Sequence, residues 1–145
     1  MRIVKHAPQR ELLCIGLHNS NFLIPDNAEN HSVTACYPFL EDAEVLSYLV
    51  HMRFRGKSIQ IEARYPDGRK EILIAIPRYD YQWQTKYLNA KPVHIPKGTR
   101  IELKATFDNS PNNKNNPDPS KPIRWGEGAA DERMDGWLEF VKPKL

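Results

Sequence analysis

Between Thr99 and Phe107 the chain alternates without a break: Ile101, Leu103, Ala105 and Phe107 are separated by Arg100, Glu102, Lys104 and Thr106. A period of two places the apolar set on one side of an extended strand and the charged set on the other, whereas a helix would scatter both around its axis. The same period returns at Val33, Ala35, Tyr37 and Phe39, with Thr34 and Cys36 opposite, and again over Val45 to Arg53. Near the C-terminus, Met134, Gly136, Leu138 and Phe140 form one set, and Arg133, Asp135, Trp137, Glu139 and Val141 the other. No segment carries a convincing amphipathic helical period. The expectation is an all-β fold, an antiparallel β-sandwich or jelly-roll of about eight strands.

Turn chemistry supports this reading. Ser58 to Tyr65 and Lys70 to Ile76 flank Pro66-Asp67-Gly68-Arg69, in which proline presets φ and Asp-Gly accepts turn conformations that most residues avoid, so a hairpin is expected. Pro96-Lys97-Gly98 marks a second turn. Asp108 to Pro122 is rich in Asn, Pro, Asp, Ser and Lys; it supplies no core and is expected to cross the surface as a loop held by side chain to backbone bonds. With 145 residues, no internal repeat and no linker, one domain over 1–145 is expected.

Composition narrows the function classes. At 40% hydrophobic and 27% charged residues the chain is far from the disordered regime. Its 21 basic residues are interspersed among 18 acidic ones, so nothing points to a nucleic-acid partner. No apolar run is long enough to span a bilayer, and Met1 to Glu11 lacks the apolar core of a signal peptide. A soluble protein without a membrane partner is expected, cytoplasmic if the chain is whole and periplasmic or extracellular if it is one domain of an exported protein. Cys14 and Cys36 lack the spacing of zinc or redox sites; two separately buried thiols are expected, the alternative being one disulfide between strands.

Several longer stretches are more specific. They are His51-Met52-Arg53-Phe54-Arg55-Gly56-Lys57-Ser58, Tyr65-Pro66-Asp67-Gly68-Arg69, Pro77-Arg78-Tyr79-Asp80-Tyr81-Gln82-Trp83-Gln84, Pro96-Lys97-Gly98-Thr99-Arg100, Phe107-Asp108-Asn109-Ser110, Asn116-Pro117-Asp118-Pro119 and Arg124-Trp125-Gly126. In order and spacing, over about Asn21 to Phe140, they resemble the bacterial members of the copper type II, ascorbate-dependent monooxygenase family. The resemblance implies that family's C-terminal β-sandwich domain. There the copper that binds dioxygen is held by the two histidines of a His-x-His motif and by a methionine following an Asp-Glu pair. Imidazole and thioether donors suit a centre that passes through Cu(I).

Matched residue by residue, the first histidine is His51, the second falls on Arg53, and the methionine falls on Arg133 in Asp131-Glu132-Arg133-Met134. Guanidinium offers no lone pair to a metal and stays protonated. It also repels the ion: an arginine about 5 Å from a divalent cation opposes binding by roughly 7 kcal/mol at an effective dielectric near 20. The site therefore reads as degenerate, with His51 vestigial and no cofactor expected; copper is expected only if the family function is retained. Two rescues are open, a one-residue slip that presents Met134, or recruitment of His18, His31 or His94 beside His51.

Arg53 and Arg133 are candidates to replace the metal's charge, paired with Glu132 or Asp135; the alternative is two solvated surface arginines. Tyr79, Tyr81 and Trp83, with Trp125 and Trp137, read as core or sheet-covering aromatics, or alternatively as a stacking platform for flat ligands. Three functions follow: a non-catalytic binding or scaffold module, acting through homo-oligomers or a separate partner domain; a copper monooxygenase half working with an electron-supplying copper domain in trans; or a small-ligand or carbohydrate-binding sandwich.

Overall fold

The computed structural model describes residues 10–143, so most of the N-terminal stretch weighed as a signal peptide, 1–9, lies outside the described residues. Ten strands follow in order: β1 (Leu13–His18), β2 (Leu23–Ile24), β3 (His31–Pro38), β4 (Ala43–Met52), β5 (Gly56–Arg64), β6 (Lys70–Ile76), β7 (Tyr87–Ile95), β8 (Arg100–Phe107), β9 (Ile123–Arg124) and β10 (Met134–Val141). Apart from the two-residue β2 and β9 they form two four-stranded antiparallel sheets, ordered β1-β10-β4-β7 and β3-β8-β5-β6. This is the all-β sandwich that the alternation implies.

The inner faces are the apolar sets read from the sequence. Ile101, Leu103, Ala105 and Phe107 on β8 are fully buried between the sheets, against Ile59, Ile61 and Ala63 from β5 and Met52, Met134 and Leu138 from the opposite sheet. Gly136 permits close approach there, since a Cβ at this position would stand 3.1 Å from a Leu103 methyl. One set is broken. A bulge between Glu139 and Phe140 shifts the register, so Val141 is buried instead of facing outward, while Phe140 meets Phe39 edge to face at 5.3 Å.

Both turns close as their residues require. Tyr65 accepts from the Gly68 N–H at 3.0 Å and donates to Arg69 at 2.9 Å, with Gly68 at φ 87°, a type I turn followed by a left-handed glycine. Asp108 to Pro122 is a loop, laced by its own side chains: Asp108, Asn113, Asn116 and Asp118 each accept a backbone N–H two residues on.

Two expectations are corrected. Cys14 on β1 and Cys36 on β3 are free and exposed, neither buried nor joined, because each lies on the outward set of an edge strand. Tyr79, Tyr81 and Trp83 occupy the 77–86 connection between β6 and β7, so their spacing is not that of a strand. Tyr79 is structural: its hydroxyl donates to the Met52 carbonyl and accepts the Met52 N–H, both at 2.9 Å, pinning the end of β4.

Beside that pin, a Cβ at Gly56 would come within 2.8 Å of the Met52 Cβ and of the Tyr79 ring. Gly56→Ala is therefore expected to lower the unfolding free energy by roughly 1–3 kcal/mol, read by urea denaturation.

Candidate functional site

The β4–β5 reversal, Arg53-Phe54-Arg55-Gly56, is closed by the Gly56 N–H to the Arg53 carbonyl at 3.1 Å. Hairpin turns ordinarily leave N–H groups to water; here they point into the protein and a carboxylate meets them. Glu132, fully buried, accepts the Arg53 N–H and, at 2.9 Å each, the N–H groups of Arg55 and Arg133. Burial pushes its pKa above the ordinary carboxylate value, and these three donors together with the Arg55 charge pull it back.

Arg55 is the largest fully buried side chain, 1% exposed. Its Nε donates to Asn109 Oδ1 at 2.9 Å and one terminal nitrogen to the Ala130 carbonyl at 3.1 Å. Asn109, also buried, spends its amide hydrogens on the carbonyls of Pro25 and Lys121, at 2.8 and 2.9 Å. A buried polar network is stabilising only if its members are satisfied, and this one closes around three loops.

The residues singled out from sequence gather at the edge of this network. Register pairs His51 with Asp135 and Met52 with Met134, so Arg53 and Arg133 stand just past the strand ends, opposite one another. Arg53 donates to the carbonyls of Gly128, Glu127 (3.3 Å) and Asp131 (3.4 Å). Arg133 pairs with Asp135 at 3.0 Å and Glu127 at 3.2 Å, and its guanidinium lies over the Trp125 ring at 5.0 Å. Both guanidinium groups are thus bonded to protein, and Arg133 has Asp135 as a charge partner. Glu132 is no such partner: both its oxygens are occupied by backbone N–H groups.

Neither rescue is realised. Met134 is fully buried in the core with β10 in unslipped register. His31 and His94 lie opposite Phe107 and Glu44, away from His51, while His18 lies across Asp135 from it, two strands distant. Among the described residues no group of three or more His, Cys, Asp or Glu side chains is placed to hold a metal ion.

His51 Nδ1 is buried without a hydrogen-bond partner, at the wall of a cleft of about 280 Å³ shared with Arg53, Phe54, Tyr81, Gln84 and Ala129. One imidazole beside two guanidinium groups does not fit a copper held by two imidazoles and a thioether. Burial lowers the His51 pKa, opposed by Asp135 and reinforced by Arg133 and Arg53. The aromatics do not assemble into one platform: Tyr81 packs edge to face on Phe54, Trp125 meets Arg133, and Trp83 is 69% exposed on its loop.

Sequence reasoning missed Arg55 and Asn109. An arginine in a hairpin turn and an asparagine in an Asn-rich loop look like solvent-facing residues, and only their tertiary meeting makes them central. No protein-family model matches the chain, and no curated protein matches it.

Two outcomes are expected. Glu132→Ala leaves three buried N–H groups and the Arg55 charge uncompensated, and should cost roughly 3–5 kcal/mol in urea denaturation. For His51, the folded pKa lies below the ordinary 6.5, so under that pH the unfolded chain takes up a proton that the folded chain refuses. This contribution is complete above 6.5 and is lost as pH falls through the folded pKa; stability measured across that window should decline less in His51→Gln than in the parent.

Proposed function

We propose that the chain is a non-catalytic binding or scaffold domain, built on the C-terminal sandwich of the copper type II, ascorbate-dependent monooxygenases, in which arginine side chains stand where the metal's charge would be. The observation that carries this reading is the engagement of both guanidinium groups with one loop. Arg53 binds carbonyls of residues 127, 128 and 131, and Arg133 joins Glu127 at the near end of that loop to Asp135 on β10.

A metal ion draws ligands from separate segments together by positive charge. Two guanidinium groups supply positive charge at the same strand ends, and unlike a metal they donate several directed hydrogen bonds each. What they do not supply is a redox couple or an open coordination position. The remaining imidazole, His51, has no second donor beside it. The ordered motifs from His51 to Gly126 support the family origin, and the exchange of two donors for arginine supports loss of the oxidative chemistry.

Copper titration followed by dialysis and metal analysis tests this directly. The expected result is only substoichiometric retained copper, the same in the parent and in His51→Ala. Stoichiometric copper that survives dialysis and is lost in His51→Ala would overturn the proposal in favour of a half-enzyme working with a partner domain.

A further inference from the structure

The outward face of the β1-β10-β4-β7 sheet is ordered in rows across the strands. One row is Gly16, Trp137 and Leu49; on one side of it lies Cys14, Glu139 and Ser47, and on the other His18, Asp135 and His51. An apolar row is thus framed by two polar ones. We propose that this face binds the ring of a pyranose sugar, stacked on Trp137, with its hydroxyls reaching the polar rows. This inference rests on the binding-module reading and gives it a ligand class, on the sheet face that adjoins the Arg133–Asp135 pair.

Three features make the face a built site. First, the shelf is spared a side chain at Gly16: an added Cβ there would sit 3.6 Å from Nε1 of the Trp137 indole, which is half-buried. Second, the polar groups on one side are fixed. The Ser47 hydroxyl, 1% exposed, donates to Glu139 Oε2 at 2.6 Å, and Lys86 Nζ donates to Glu139 Oε1 at 2.6 Å. Third, these groups and the indole line one hollow of about 270 Å³ with Leu49 and Cys14.

The chemistry selects the occupant. A pyranose has a C–H face that packs on an indole and equatorial hydroxyls that both donate and accept. Glu139 retains lone pairs for hydroxyl donors, and Lys86 retains hydrogens for hydroxyl oxygens. Across the shelf, Asp135 lies between two imidazoles and is held by Arg133 at 3.0 Å. A purely apolar ligand would leave both rows desolvated without partners, and an anion would meet Glu139 and Asp135.

The test is titration of the full chain with methyl glycosides of glucose, galactose, mannose and N-acetylglucosamine, followed by amide and indole NMR. Saturable shifts centred on Trp137, Gly16 and Leu49 are expected, with millimolar affinity. Ser47→Ala should weaken binding about threefold to tenfold through the lost bond to Glu139. Gly16→Val separates binding from folding: valine suits an edge strand and meets the indole at ordinary contact distance, so stability should hold while its methyls cover the shelf and abolish the shifts. Trp83→Ala, whose side chain does not line the hollow, should bind as the parent does. The proposal is overturned by the absence of saturable shifts with all four sugars up to about 50 mM, or by shifts that persist in Gly16→Val. Copper retention reads His51 and these shifts read Trp137, so either result stands without the other.

Discussion

The carboxylate of Glu132 holds together the end of the sandwich where every candidate residue lies. It is fully buried, and it accepts N–H groups from the β4–β5 turn and from its own strand entry. Removing a carboxylate from water is costly, and only directed donors make the burial tolerable. Those donors are backbone groups of Arg53, Arg55 and Arg133, so satisfying the charge fixes where three arginine side chains begin. Arg55 then runs inward to Asn109 and the Ala130 carbonyl, while Arg53 and Arg133 run outward to the 126–131 loop.

Two like charges facing each other across a strand end ought to repel. Their compensation is visible: Arg53 spends its charge on carbonyl dipoles, and Arg133 on Asp135, Glu127 and the face of Trp125. The same positive field that would oppose a divalent ion thus becomes the means of holding a loop. His51 is left between Asp135 and these guanidinium groups with its Nδ1 buried and unpartnered.

The sequence disclosed the sandwich well where burial is one-sided. On β8 each inward position is apolar and each outward one polar, and on β3 and most of β10 the inward set is largely apolar, so alternation states the face of most side chains. It was silent on β7, an edge strand where only Ile95 is buried and Lys91-Pro92 interrupts the pattern. It misplaced Val141, because a bulge leaves no mark on the alternation before it. It also misjudged the aromatics at 81 and 83, since a loop can imitate strand spacing, while Tyr79 on the same loop packs against the core. The candidate site was legible in its members, His51, Arg53, Arg133 and Asp135, all of which converge. What was not legible is the support beneath them: Glu132 serving backbone instead of guanidinium, and Arg55 meeting Asn109 across 54 residues, contacts that no local pattern encodes.

That Arg53 and Arg133 hold this strand end to the 126–131 loop is tested by the unfolding free energy of the double variant Arg53→His, Arg133→Met without added metal. These substitutions remove every guanidinium bond to residues 127, 128, 131 and 135 while leaving Glu132 its three N–H donors. The expected loss is roughly 1–3 kcal/mol in urea denaturation, from two part-buried and three exposed charge-assisted bonds. A double variant within about 0.5 kcal/mol of the parent would contradict it, since surface substitutions free of such roles fall in that range.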